Sequence, residues 1–242
     1  MKILVVGYGE LAEEFAKVKS DFDFVGIKRS GCSQLANVNM VNCDYSLGLP
    51  EQVTKDNFDW VVFFPKTSGN SPDDYKIGYL SQMNAINDHF PSAKKIFISS
   101  TRIYSGYSNI IVDENTPPKP SDEQGEIIKL YESEALKHGN NFVLRLGGLI
   151  THKSNFVKLV LDKKLFLDNK YINGIFISDV INLMAKIMQE GIGQQLINVI
   201  MPKYMKYSDF DSAFKGEPIN AAVKSIHYND EAKFNIKCIK EI

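Results

Sequence analysis

The chain has 242 residues, enough for one large α/β domain or a domain with a small second lobe, and short for two independent domains. Its 28 Lys and Arg nearly cancel its 29 Asp and Glu, so a net charge of −1 gives no basis for nucleic-acid or membrane partners. No apolar run approaches the roughly 20 residues that span a bilayer, and Cys32, Cys43 and Cys238 lack the spacing of a disulfide framework or a thiolate metal site.

In chain order, a strand predicted over 3–6 reads as the start of the fold rather than as a leader. It runs into Gly7-Tyr8-Gly9-Glu10-Leu11-Ala12, and a helical pattern follows over 10–19. Strand, G-x-G-x-x-A and helix in that order form a dinucleotide-binding fingerprint. Gly7 permits a tight turn, Gly9 lets backbone N–H groups approach a pyrophosphate, and Ala12 lets the helix pack close to the strand. The phosphates would lie over the turn from Gly7 through Tyr8, Gly9 and Glu10 to Leu11, where helix N-terminal amides favour an anion. The Glu10 carboxylate opposes this unless its side chain turns outward.

The second strand, over 24–27, ends in Lys28-Arg29-Ser30, where an NAD site places Asp or Glu for the ribose 2′-hydroxyl. Two cations and a hydroxyl suit a 2′-phosphate, and the Arg29 guanidinium can give it paired hydrogen bonds. The expected cofactor is therefore NADP rather than NAD. A solvated basic loop is the competing reading.

Further strands over 40–42, 60–64, 95–99, 142–146 and 196–199 are set among helices over 73–89, 122–137, 155–162, 179–189 and 208–214. Short Val-, Ile- and Phe-rich runs between helical segments imply a Rossmann-type, doubly wound parallel sheet buried on both faces. The prolines of Asp113-Glu114-Asn115-Thr116-Pro117-Pro118-Lys119-Pro120 deny helix and central strand, so that stretch is a loop. The βα rhythm weakens beyond Gly147, which divides the chain into a dinucleotide-binding core, 1–150, and a smaller C-terminal substrate lobe, 151–242, interleaved with the last strands. Asp179 is expected to cap its helix, and Tyr204, Tyr207 and Phe210 to fill a core rather than line a pocket. The four histidines, scattered at 89, 138, 152 and 227, give no metal-ligand spacing, and no metal is expected.

Phe97-Ile98-Ser99-Ser100-Thr101-Arg102-Ile103-Tyr104 resembles the Ser-Ser-x-x-Val-Tyr strand end of extended short-chain dehydrogenase/reductases of the NAD(P)-dependent epimerase/dehydratase group. The resemblance continues in family order through Val112 to Pro118, Val143 to Gly148, Asn173 to Val180, Ile197 to Val199 and a stretch from Asn229 to Asn235. It implies that Ser100 hydrogen-bonds the substrate oxygen, that Asp44 contacts the adenine, and that the backbone at Phe64 and Pro65 lines the cofactor. For Ser100 the alternative is a strand-end hydroxyl bonding backbone. His152 and Lys153 stand near the start of the lobe that would hold substrate, facing either a substrate anion or solvent.

The family's acid/base pair, Tyr-x-x-x-Lys one helical turn apart, is missing: none of the 11 tyrosines has Lys four residues later, and Gly125 stands four before Lys129. Tyr131 lies about 200° around the helix from Lys129 and does not replace it. Lys129 keeps two readings, a ribose contact or a solvated lysine, and Ser100, Thr101 and Lys129 are the catalytic candidates. The pattern resembles the atypical branch of the family, which lacks the catalytic tyrosine. It implies an NADP-dependent oxidoreductase or epimerase/dehydratase-like enzyme on a small molecule of nucleotide-sugar type, or else an inactive NADP(H)-binding regulator or scaffold. Helices over 73–89 and 122–137 imply a homodimer by analogy, and the expected location is the cytoplasm.

Overall fold

The structure is a computed structural model that describes residues 1–151, 159–160, 162–164, 170–191, 193–203, 205–210 and 218–228. The readings of His152, Lys153, Tyr204 and the stretch from Asn229 to Asn235, and most of the helix expected over 155–162, lie outside the described residues, as does the Phe210 side chain. Two compact units are present, one formed by Met1–Ser99 with Glu126–Val143, the other by Ser100–Gly125 with Leu144–Ile242. The chain passes from one unit to the other at 99–100, 125–126 and 143–144.

Strands β1 (Lys2–Val6), β2 (Asp23–Lys28), β3 (Val38–Asn42), β4 (Trp60–Phe63), β5 (Lys94–Ser100), β7 (Asn141–Leu146) and β10 (Leu196–Val199) make a seven-stranded sheet in the order β10-β7-β5-β4-β1-β2-β3. They are the seven strands expected from the sequence, with ends moved by one or two residues. β1 pairs in parallel with β2 and β4, β2 with β3, and β4 with β5. Ile3 to Val6 and Val61 to Phe63 are fully buried, as strands covered on both faces must be. The chain runs outward from β1 to β2 and β3, then returns to the other side of β1 as β4. That reversal leaves a crevice at the carboxyl ends of β1 and β4.

In the first unit α1 (Glu10–Val18) follows β1 and buries Leu11, Ala12, Phe15 and Ala16. Phe15 packs edge-on against Phe22 and Phe24. A short α2 (Glu51–Thr54) precedes β4, and α3 (Pro72–Tyr75) continues through a π turn (Lys76–Ser81) into α4 (Gln82–His89). Ser71 and Asp74 close a reciprocal capping box at the start of α3, with Pro72 at its first position. Along α5 (Glu123–Ala135), Tyr131 packs edge-on against Phe63, Phe97 and Tyr79 and donates to the Ile98 carbonyl at 3.1 Å.

In the second unit β6 (Ile111–Val112) pairs with β11 (Ala222–Val223), and β8 (Gly148–Ile150) with β9 (Gly174–Phe176), four strands too short to leave a sequence pattern. The proline-rich stretch after β6 is the expected loop, and its Glu114 carboxylate accepts from the Asn198 and Ile226 N–H groups and the Ser225 hydroxyl. Buried Arg145 donates to the Tyr104 hydroxyl at 2.6 Å, which donates on to the Asp113 carbonyl at 2.7 Å. Asp179 is not the cap of α6 (Ile177–Glu190): β9 passes straight into the helix, Phe176 takes the cap position, and Asp179 is the third helical residue, fully buried.

Lys95 on β5 is 1% exposed and its ammonium donates to the Ala93 carbonyl at 3.0 Å. Burial lowers its pKa from the usual 10.5 to about 8. The unfolded lysine therefore holds its proton over a range where the folded one has lost it. The cost to the fold is complete below about pH 8 and fades as pH rises toward 10.5. Lys95→Met is expected to raise the unfolding free energy by roughly 3 kcal/mol at neutral pH, with most of the gain gone in strongly alkaline buffer. Urea denaturation at both pH values checks this.

Candidate functional site

β1 ends at Gly7, whose φ of 88° lies in the left-handed region. A Cβ there would stand 2.4 Å from the Phe64 carbonyl oxygen, so only glycine lets β1 and the end of β4 come this close. The Gly7 and Tyr8 N–H groups both donate to the Ile27 carbonyl, at 3.1 and 2.8 Å, tying the turn to β2. Tyr8 lies over Gly26 of β2, where a Cβ would meet its ring at 2.5 Å. Burial, with Glu13 beside its hydroxyl, raises the Tyr8 pKa.

A cavity of about 380 Å³ opens at this point, within the range of cofactor sites. Its lining brings together Gly7, Tyr8 and Gly9 from the turn, Lys28, Arg29 and Ser30 from the end of β2, Asp44 from beyond β3, and Phe64 and Pro65 from beyond β4. All belong to the first unit. Two residues of the expected set do not line it. Glu10 is exposed on the first turn of α1, and Leu11 is buried on that helix's inner face. The outward Glu10 removes the carboxylate that would oppose a pyrophosphate.

The cavity also takes in Tyr45, Ser46, Lys66, Thr67 and Ser68, which the sequence reading did not select. Asp44 Oδ1 accepts from the Ser46 N–H at 3.1 Å and its hydroxyl at 2.6 Å, capping the 3-10 turn over Tyr45–Leu47. These bonds, with the Arg29 charge, hold the Asp44 carboxyl below the usual range. On the opposite rim, Asp74 accepts from the Ser68 and Ser71 hydroxyls and is held low by them. Gly78 completes that rim, since a Cβ there would stand 2.7 Å from the Lys66 carbonyl oxygen. Among the described lining residues there are three cations, Lys28, Arg29 and Lys66, and one carboxylate, Asp44.

No protein-family model and no curated protein sequence matches the chain. Solved structures do match over nearly its whole length. dTDP-glucose 4,6-dehydratase from Bacillus anthracis, in complex with NAD, superposes with a TM-score of 0.76 at 15% identity, covering 98% of this chain and 92% of that one. The enzyme WbmG from Bordetella bronchiseptica, with NAD, gives 0.74 at 15% identity over 98% and 89% of the two chains. UDP-glucuronic acid 4-epimerase from Bacillus cereus, with NAD, gives 0.71 at 15% identity over 99% and 94%. The chain has the fold of the NAD-dependent epimerases and dehydratases.

The remaining candidates are not among the residues that line the cavity. Ser100 is the last residue of β5, and its hydroxyl accepts from the Arg102 N–H at 3.2 Å, capping the 3-10 turn Thr101–Tyr104 in the second unit. That is the backbone role weighed for it, and it leaves the hydroxyl proton to donate elsewhere. Thr101 opens the turn. Lys129, in the first unit, is an exposed residue of α5 paired with Glu126 at 3.2 Å. At Gly125 a Cβ would meet Pro120 Cβ at 2.5 Å. Tyr131 is fully buried, its hydroxyl held by Ile98, so it does not stand in for the missing tyrosine.

No helix among the described residues is long and apolar enough to cross a membrane, and no described group of His, Cys, Asp or Glu has the arrangement of a metal site.

Gly7→Ala is expected to lose more stability than Gly48→Ala. Both glycines have positive φ, but a Cβ at Gly48 meets nothing within 4 Å. The control carries backbone strain of about 1–3 kcal/mol alone, so a larger loss at Gly7, read by chemical denaturation, measures the clash with Phe64.

Proposed function

We propose that the cavity binds a nicotinamide dinucleotide, with NADP preferred to NAD, and that the chain is an oxidoreductase or epimerase/dehydratase-like enzyme on a nucleotide-sugar-type substrate. The observation that carries the reading is the charge of the lining: Lys28, Arg29 and Lys66 beside a glycine turn, and a cation where β2 would end in a carboxylate for NAD. The Gly7–Gly9 turn would hold the pyrophosphate, Arg29 and Lys28 the 2′-phosphate, and Asp44 the adenine. The dehydratase, WbmG and the 4-epimerase all carry NAD, which supports a nicotinamide cofactor without favouring its phosphorylated form. The sugar-nucleotide names of two of them support the substrate class.

A bound nicotinamide would supply the hydride chemistry. From this chain, Ser100 would donate its remaining proton to a substrate oxygen, Thr101 is the adjacent second hydroxyl, and Lys129 would serve the ribose after releasing Glu126. Residues 151–242 would form the substrate lobe. A homodimer through the helices expected over 73–89 and 122–137 belongs to the same reading, supported by the half-exposed Ile77 and Leu130, as does a cytoplasmic location.

One observation favours a second reading, an inactive NADP(H)-binding regulator or scaffold. The side chains of Pro120 and Asp122 stand where a side chain at position 125 would begin, which supports a reading in which a catalytic tyrosine has no room there.

Arg29→Ala is expected to weaken NADPH binding about 10-fold or more while changing NADH binding less than about 2-fold, by fluorescence titration. Equal wild-type affinity for the two cofactors would remove the preference. Turnover of NADPH with a nucleotide-sugar that falls about 100-fold in Ser100→Ala would support the enzyme reading. Tight cofactor binding with no turnover across such substrates would support the regulator.

A further inference from the structure

Tyr45 follows the Asp44 cap, and its ring packs edge-on against Phe63 of β4, with centroids 6.4 Å apart and planes at 83°. This contact sends the phenol across the ends of β4 and β1. Its hydroxyl reaches 3.3 Å from the point where a Cβ on Gly7 would stand, beside the turn that opens the cavity. The residue is only 6% exposed, and the hydroxyl has no hydrogen-bond partner among the described residues. A buried hydroxyl without a partner is costly, so such a group calls for one.

The other buried phenol of the lining, Tyr8, also has a hydroxyl without a hydrogen-bond partner, but Glu13 and Ser33 act on that hydroxyl and its ring lies over Gly26 of β2. Among the described residues, no polar side chain of that kind acts on the Tyr45 hydroxyl as a hydrogen-bonding neighbour. Arg29 does act on it, as it acts on Asp44, so the cation, the carboxylate and the phenol share one end of the cavity. Burial pushes the Tyr45 pKa up to about 12, so at neutral pH the phenol keeps its proton and can donate.

The geometry points to Tyr45 as a hydrogen-bond donor to the ribose–diphosphate stretch of the adenylyl half of the bound dinucleotide, a contact that fixes this half against Gly7. The inference rests on the dinucleotide-binding reading above. The donor bond would be charge-assisted, and the lost bond in Tyr45→Phe is expected to weaken NADPH and ADP alike by about 10-fold or more.

The test is a titration of wild-type and Tyr45→Phe full-length protein with NADPH and with ADP, alongside thermal melts without ligand. The expected result is weaker binding of both ligands with a ligand-free melting temperature equal to the wild type's or higher, because phenylalanine keeps the ring packing and removes an unpartnered hydroxyl. Wild-type binding that Tyr45→Phe leaves unchanged, for either ligand, would overturn the inference and spare the dinucleotide reading. So would a ligand-free melt several degrees lower, which would make the hydroxyl a part of the fold. A wild type that binds neither ligand would overturn the dinucleotide reading and this inference with it.

Discussion

The close approach of β1 and β4 at Gly7 organises the first unit. The Phe64 carbonyl occupies the space a side chain would need, and the Ile27 carbonyl holds two successive N–H groups of the turn. With the backbone fixed from both sides, α1 starts where it must, its inner face buries Leu11 and Ala12, and Glu10 is left outside. The same approach sets the cavity beside the reversal between β1 and β4. The charges then gather by topology, because the ends of β2, β3 and β4 all reach one edge of the sheet.

Much of this was legible in the sequence, and the reason is physical. Strands buried on both faces must be apolar, and β1 and β4 carry that mark throughout their buried residues, whereas the edge strand β3 alternates apolar residues with exposed Asn and is not buried. The G-x-G-x-x-A turn and the Lys28-Arg29-Ser30 triplet are read by spacing from a strand end, and Gly7, Tyr8 and Gly9 of the first and all of the second line the cavity. Tyr45, Lys66 and Ser68 carried no such signal. Tyr45 reaches the cavity through its contact with Phe63, eighteen residues on, and the 66–68 rim is placed by Gly78 and Asp74. Those are relations between elements, invisible to periodicity. Asp179 misled for the opposite reason: an acid at an expected helix start looks like a cap, but β9 enters α6 without a loop and buries it.

The proposed cofactor site and the proposed chemistry stand on different ground. The cavity has a glycine turn and, among its described lining residues, three cations, while a side chain at position 125 would meet Pro120. That combination supports the proposed dinucleotide binding more directly than it supports any proposed chemistry. In the proposed reading Ser100 would be the proton donor, and its hydroxyl is engaged as a turn cap through its acceptor side.

A crystal structure of the protein with NADPH tests the central claim most directly. The account predicts the pyrophosphate against the Gly7–Gly9 turn, the 2′-phosphate between Lys28 and Arg29, and the adenine near Asp44. NADPH bound elsewhere, or bound here with its 2′-phosphate turned away from Arg29, would contradict it.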